Sequence, residues 1–524
     1  MAERSAGRLG PWPGRVLSVV AGAGAGFAHQ PWGFLPGLFG YALLLWLLDQ
    51  AASDRRYRTA FLRGWLAGGG YFAVAVWWIA EPFQVDAAEQ AWMAPFAVVL
   101  MALGLALFWG AAALAYKALA RSGVLRVLLF AGLFAAFEWL RGHVLTGFPW
   151  DLPGETWRAG SAPSQAAALV GAYGLTWITL AIATAPAVIA EGWPGRAAVS
   201  VAAACLAGLY AFGLARLAEP PRFTPSAPWL RIVQADVKQE SKYDPAIFSS
   251  IVSRYVALTA RPAARRPDIV IWPEGAIPDA MEDYLAPGTW TREAIQGALT
   301  PGQILILGGY RIGNDAVDPP VIFNSLAVFR RTAGGLAFAG LYDKFRLVPF
   351  GEFIPFDRFA SQIGFKTMVH VGDGFTPGPR PRPLRLPGLP AFQPLICYEG
   401  LYPGFTREGA MAAGFRPAWI VNISNDAWFG TTSGPWQHLN IASYRAIEEG
   451  LPMARATPTG VSAMIDAFGR IAPGARLGQG AFGVIDAPMP PALPPTLYDR
   501  LGDLPFWLML AISLIGVRWP LRRR

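Results

Sequence analysis

A bundle of membrane helices carrying one water-soluble α/β layered domain is the architecture the sequence predicts, and three observations lead to it. The composition comes first: 53% hydrophobic residues with 15% charged is too apolar for one soluble globule of 524 residues. Second, apolar stretches near membrane length crowd the N-terminal part, and crossing about 30 Å of hydrocarbon takes roughly 20 apolar residues as a helix. Third, residues 218–502 look different: charges recur regularly, Gly and Pro punctuate short Val/Ile/Leu runs, and no apolar stretch reaches that length.

Membrane spans are predicted near 15–31, 34–50, 61–82, 93–118, 124–141, 164–190, 196–215 and 503–519. The chain therefore divides into a seven-helix bundle at 1–217, a soluble domain at 218–502, and a last span with a basic tail at 503–524. Lys and Arg near span ends stay on the cytoplasmic side. Arg4, Arg8 and Arg15, then Arg55, Arg56, Arg58 and Arg63, then Lys117, Arg121 and Arg126, then Arg196, and finally Arg518 and Arg522 to Arg524 all fall on one side if the spans number eight. The loop with Glu81, Asp86 and Glu89 has no basic residue. Both termini are thus expected in the cytoplasm and the 218–502 domain outside. The first span is expected to be a retained anchor, since further spans follow it.

The basic balance does not point to nucleic acid. Residues 218–502 hold 26 Lys+Arg against 24 Asp+Glu, so about +7 of the formal +9 belongs to the membrane flanks.

Within the soluble domain, strands are expected at Leu230 to Ala235, Asp268 to Trp272, Gln303 to Leu307, Ser325 to Phe329, Ala391 to Ile396, Trp419 to Ile423 and Ser462 to Ile465. Helical stretches at 245–260 and 436–449 fall between them, which indicates α/β layers. Two expected strands end on reactive groups: Ile269-Val270-Ile271-Trp272-Pro273-Glu274 on a carboxylate and Leu395-Ile396-Cys397-Tyr398-Glu399 on a thiol. Tyr342-Asp343-Lys344-Phe345 adds an ammonium. Lys is scarce here, five of 44 basic residues, so a Lys kept amid Arg suggests that a compact, titratable cation is wanted. Taken singly, Lys344 reads more readily as a solvated surface charge, Glu274 equally well as a surface carboxylate or helix cap, and Cys397 equally well as a small buried hydrophobe; the combination points elsewhere. Cys205, the other cysteine, lies in an expected span, so a disulfide between the two is not expected.

In order, Trp272-Pro273-Glu274, then Lys344 with Leu347-Val348-Pro349-Phe350-Gly351-Glu352 behind it, then Cys397-Tyr398-Glu399 resemble the nitrilase, or carbon–nitrogen hydrolase, superfamily. The same domain inserted before the last of eight spans resembles one family within it, the apolipoprotein N-acyltransferases. Glu138-Trp139-Leu140-Arg141-Gly142 with Thr146-Gly147-Phe148-Pro149-Trp150, and Asn422-Ile423-Ser424-Asn425-Asp426-Ala427-Trp428-Phe429-Gly430 with Gln437 and His438, look like that family and not like soluble nitrilases.

The resemblance implies an αββα sandwich in the soluble domain and a triad at Glu274, Lys344 and Cys397. It implies that Cys397 takes an acyl chain from a phospholipid, phosphatidylethanolamine being the expected donor, and passes it from a thioester to the α-amine of a diacylglyceryl-cysteine at an apolipoprotein N-terminus. It places the protein in a bacterial inner membrane with its catalytic domain periplasmic. No metal or organic cofactor is expected. Glu352 and Glu399 resemble further functional carboxylates, expected to orient Lys344 and shape the pocket, and a backbone N–H near Tyr398 is expected to help hold the oxyanion. Asn324 matches a family position by its spacing from Lys344. Tyr243 departs from the pattern, which has tryptophan there. Phe353, Phe356, Phe359 and Phe375 read either as core or as an arm dipping into the membrane interface. Glu138 and Arg141, at i and i+3, are placed to pair across one helical turn, and Gln165 is a similar polar residue near a span end.

Three rival readings stand beside this one. A membrane-tethered amidase or nitrilase acting on a small amide would use the same triad with water in place of the amine. A transporter or scaffold would place polar residues at the bundle midplane, where this chain has mostly Ala, Leu, Gly and Trp. A Cys–His nucleophile using His438 would leave Glu274 and Lys344 unexplained.

Overall fold

The computed structural model describes residues 10–51, 56–218, 226–314, 321–355 and 374–518. Contacts divide the chain into two compact units: Met1–Ala80 with Trp92–Glu219 and Thr496–Arg524, and Glu81–Ala91 with Pro220–Pro495. The acidic loop 81–91 groups with the second unit, against Gly430, where an added Cβ would strike the Glu81 carboxylate.

The first unit is helical. Each apolar stretch singled out in the sequence overlaps a helix: Pro11–Gly26, Phe39–Asp49, Arg56–Ala75, Ala94–Leu119, Arg126–Arg141, Ala167–Thr184, Trp193–Leu217 and Leu504–Arg518. Three helical segments, Ala87–Leu119, Pro163–Val188 and Trp193–Leu217, are long and apolar enough to cross a membrane, and Leu35–Asp49 and Leu504–Gly516 are shorter apolar helices. Small residues let the helices approach closely; a Cβ on Gly64 would sit 2.6 Å from the Trp109 carbonyl oxygen. Glu138 and Arg141 are fully buried and pair, with Arg141 Nε donating to Oε2 at 2.8 Å and Trp109 Nε1 donating to Oε1 at 2.6 Å. Gln165 is also buried and accepts from Arg216 Nε at 3.2 Å.

The second unit is built on two six-stranded sheets. One has the order β12-β1-β2-β3-β4-β5, from β1 (Trp229–Gln234), β2 (Ile269–Ile271), β3 (Ile304–Asn314), β4 (Val321–Thr332), β5 (Gly335–Asp343) and β12 (Gly483–Pro488). The other has the order β11-β10-β9-β8-β7-β6, from β6 (Leu384–Leu386), β7 (Leu389–Ile396), β8 (Trp419–Ile423), β9 (Met453–Ala456), β10 (Ser462–Ile465) and β11 (Ile471–Leu477). Strands β1, β2 and β3 run parallel, as do β7, β8 and β9.

Alternation along the strands sorts side chains into two layers. Leu230, Ile232, Ile269, Ile271, Ile304 and Ile306 face one core, packed with Phe392, Ile396, Trp419, Val421 and Ile423 of the second sheet. The intervening Val233, Val270, Trp272, Leu305 and Leu307 face another, with Ile251, Val252, Tyr255 and Leu258 of helix Phe248–Ala260 and Ile295 of helix Trp290–Ala298. Each such side chain fully buried stabilises the fold by about 1.5–3 kcal/mol against exposure. Helix Gly434–Glu449 is buried along almost its whole length on the second sheet's side of the molecule.

The seven expected strands are present, with β3 and β4 longer than expected. Gly308 and Gly309 give β3 the look of a turn, yet they pair in register with Leu326 and Ser325. Strand β5, with four small residues among its first six, and the four-residue β9, Met453–Ala456, carry no alternation long enough to read.

Candidate active site

Parallel strands release their reactive groups at their C-terminal ends, where no ladder partner competes for the turn. Strand β7 ends in the tight turn Cys397–Leu401, and Cys397 itself has φ 51°, a left-handed conformation rare for a residue with a Cβ. Such a conformation costs about 1–3 kcal/mol and persists only where its surroundings over-determine it. Glu399 is one such constraint. Its Oε2 accepts from Ile396 N at 2.8 Å, while Oε1 accepts from Tyr342 Oη at 2.7 Å, Phe345 N at 2.8 Å and Arg346 N at 3.2 Å. One buried carboxylate thus ties the cysteine turn to the segment bearing Lys344. Burial pushes Glu399 up to about 7, against those donors and Lys344.

The second constraint lies on the other side of the turn. His438 Nε2 is 3.3 Å from the backbone oxygen of Cys397, and its Nδ1 is 3.0 Å from Asp426 Oδ1. Asp426 also accepts from Arg455 Nη2 with both oxygens, at 2.9 and 2.8 Å, and from Ser424 Oγ at 2.7 Å. All four side chains are buried. Burial would raise the Asp426 carboxyl, but Arg455 and His438 hold it below its usual range. His438 meets the cysteine's carbonyl and not its sulfur, which removes the support for a Cys–His pair. Sequence reasoning quoted Asp426 only as part of a resemblance, weighed His438 also as a partner of the cysteine, and missed Arg455; an Arg and an Asp 29 positions apart leave no local pattern to find.

Glu274 follows β2 and Lys344 follows β5, and the structure brings both together with Asn324 and Glu352. Lys344 Nζ donates to Glu352 Oε1 at 2.9 Å and lies 3.3 Å from Glu274 Oε1. Asn324 Nδ2 bridges the same two oxygens at 2.6 and 2.7 Å. Glu352 Oε2 accepts from Val348 N at 2.8 Å, which closes the loop behind Lys344. The main chain sets the ammonium as well: Lys344 N donates to Asn324 O at 2.8 Å. The other oxygen of Glu274, Oε2, is buried with no hydrogen-bond partner among the described residues.

The electrostatics of this set separate a proton donor from a proton acceptor. Burial pushes the Cys397 thiol up to about 12, reinforced by the Glu274 charge and opposed by Lys344 and Ser424. For Glu274 burial acts upward, yet Lys344, Asn324 and the Cys397 thiol outweigh it and hold the carboxyl below its usual range. Burial acts downward on Lys344, and the charges of Glu274 and Glu352 reverse it, so the ammonium stays protonated. At neutral pH the set therefore holds a thiol beside an ionised carboxylate and a fixed cation.

Tyr398 is buried behind Cys397, its ring 5.3 Å from that of Tyr402. Tyr243 is 64% exposed and makes no hydrogen bond to the side chains of Glu274, Lys344 or Cys397 among the described residues. Phe353 and Phe375 are half-buried, whereas Phe356 and Phe359 lie outside the described residues. Both cysteines are free.

Known protein families match both halves of the chain. Residues 21–185 match the Apolipoprotein N-acyltransferase N-terminal domain and residues 230–493 the Carbon-nitrogen hydrolase family. The Apolipoprotein N-acyltransferase of Caulobacter vibrioides is 58% identical over 505 residues, 96% of this chain and 94% of that protein. Those of Bradyrhizobium diazoefficiens and Rhodopseudomonas palustris are 37% and 35% identical and cover 98% and 97% of this chain, and 96% and 95% of their own lengths. An amidase from Nesterenkonia sp. AN1 is similar at 18% identity with a TM-score of 0.34, covering 53% of this chain and 98% of that one, too remote a likeness to carry the amidase reading. With its helical half and its two-sheet half both matched at nearly full length, the chain belongs to the apolipoprotein N-acyltransferase family.

Proposed function

We propose that this protein moves an acyl chain from a phospholipid to the N-terminal α-amine of diacylglyceryl-modified apolipoproteins, with Cys397 as nucleophile, Glu274 as proton carrier and Lys344 as oxyanion partner. The observation that carries the reading is the unsatisfied Oε2 of Glu274, buried beside a thiol whose strained turn is clamped from two sides. Glu274 takes the Cys397 proton as sulfur attacks the ester carbonyl. The tetrahedral oxyanion forms next to the Lys344 ammonium, helped by a backbone N–H near Tyr398. Collapse breaks the ester C–O bond, and the lysophospholipid oxygen leaves with the proton held by Glu274.

In the second half-reaction the amine attacks the thioester, gives a proton to Glu274, and an amide forms as the C–S bond breaks and the proton returns to sulfur. Ping-pong kinetics follow. Glu352 and Asn324 act through Lys344 and Glu274, and Glu399 acts by holding the cysteine turn against the Lys344 segment. Tyr243 is assigned to substrate contact at the entrance, where the family has tryptophan.

The finer topology belongs to the same proposal. Eight spans divide the chain at about 217 and 503, both termini lie in the cytoplasm, and the catalytic domain faces the periplasm. The positions of Lys and Arg along the chain support this orientation. A bilayer-bound donor and acceptor account for a helical half that a small soluble amide would not need.

The test is mass spectrometry of the purified protein after incubation with phosphatidylethanolamine of known acyl composition. A hydroxylamine-sensitive adduct on the Cys397 peptide, discharged as an amide by a diacylglyceryl-cysteine peptide and absent in Cys397→Ala, is expected. Discharge to free fatty acid with no amide would overturn the transferase reading in favour of a hydrolase.

A further inference from the structure

Lys242 is a second lysine at the site, and no step described so far uses it. It follows β1 in a turn where its N–H donates to Gln239 O at 3.4 Å, and it is 3% exposed. Its ammonium lies against Gly275, the residue after Glu274; a Cβ built there would be 2.7 Å from Nζ. Among the described residues no carboxylate or carbonyl pairs with it, in contrast to Lys344, which has two carboxylates. The Tyr243 ring lies 5.7 Å from Nζ, near the outer limit of a cation–π contact.

Among the described residues no hydrogen-bonded counter-charge offsets this ammonium, which keeps only the longer-range pull of Glu274. Charge explains it. Glu274 and Glu352 outnumber Lys344, so the polar cluster without Lys242 carries a net negative charge that would repel an anionic substrate. Burial lowers Lys242 to about 8 while Glu274 pulls it upward, so it remains mostly charged at neutral pH. Only five lysines occur in the chain, and a lysine ammonium is a compact point charge suited to a phosphate oxygen.

We propose that Lys242 binds the phosphodiester of the acyl donor and so sets the donor's ester carbonyl against Cys397. This rests on the phospholipid-to-thioester reading above. The acceptor offers no phosphate at its diacylglyceryl-cysteine, so Lys242 acts in the first half-reaction and not in the second.

The experiment compares two donors of the same acyl chain, phosphatidylethanolamine and a p-nitrophenyl ester, by single-turnover acylation of Cys397 in the full-length protein in detergent. For Lys242→Met, acylation from phosphatidylethanolamine should fall roughly 10- to 100-fold, the scale of one charge-assisted hydrogen bond. Acylation from the phosphate-free ester, and discharge of a preformed thioester by the amine, should stay within about threefold, while Lys242→Arg recovers part of the phospholipid rate. Equal losses with both donors, or no loss with phosphatidylethanolamine, overturn the proposal. Inorganic phosphate restoring or blocking both donors alike would assign the subsite to free phosphate and overturn it too. Failure of the underlying reading looks different: the wild-type protein would form no thioester at Cys397 from either donor. Should Lys242→Met fold poorly, the ester reaction reports it, and Lys242→Gln provides a second neutral side chain.

Discussion

Replacing Glu274 by Gln removes the proton acceptor while keeping shape and the Oε1 contacts with Asn324 and Lys344. A thiol near 12 is ionised to only about one part in 10⁵ at pH 7, so spontaneous thiolate cannot sustain acylation. A positioned base contributes about 10²–10⁴, equal to about 3–5 kcal/mol of barrier. Thioester formation in Glu274→Gln should slow by that factor in a quenched single-turnover assay. The pH profile should change shape too. With the Glu274 carboxyl held below its usual range, the wild-type rate is flat through neutrality. In the variant only free thiolate reacts, so the rate should climb about tenfold per pH unit. That climb should end below 12, because loss of the Glu274 charge lowers the thiol. An acylation rate within a few-fold of wild type, or a variant profile flat from pH 6 to 9, would refute the assignment of Glu274 as base.

Two further substitutions test how the site is held. Gly308→Ala puts a Cβ 2.6 Å from Glu274 Cα and 2.7 Å from Pro273 O, so overpacking should cost about 1–3 kcal/mol in denaturant unfolding and reduce acylation at least tenfold through displacement of Glu274; unchanged kinetics would show that the strand end yields freely. Asp426→Asn strips the counter-charge from buried Arg455 and should destabilise by about 3–5 kcal/mol, read as a lowered thermal midpoint in detergent. The Asp426 carboxyl is held below its ordinary 3.8, so this stabilisation is complete above that pH and fades only in stronger acid; an unaltered midpoint at pH 7 would deny the network its structural role.

Two of the three proposed reactive residues were legible because a recognisable apolar strand precedes them: Ile269–Ile271 leads to Glu274 and Leu389–Ile396 to Cys397, whereas Lys344 follows the less regular Gly335–Asp343. Spacing could not show what holds them. The positive φ of Cys397 is imposed on a residue type that does not advertise it, unlike a glycine. Lys242 escaped notice because its meaning lies in a missing partner, which only coordinates reveal. The membrane half was readable as helices from apolarity alone, but 16- and 11-residue helices such as Pro11–Gly26 and Phe39–Asp49 are shorter than their apolar stretches suggested. The turn at Gln30-Pro31 and the three-ten segment Leu35–Leu38 interrupt them, and hydropathy averaged over a window does not see such breaks.

Strands β1 and β12 are neighbours, with Trp229 opposite Pro488 in register, so the two-sheet unit begins and ends at adjacent points on one edge. A module with paired ends can be grafted into a helix-to-helix loop as though it were a short hairpin. The loop-closure entropy it adds is that of the few connecting residues and not of the more than 250 between them. A unit closed in this way needs nothing from its flanking segments to bring its own ends together.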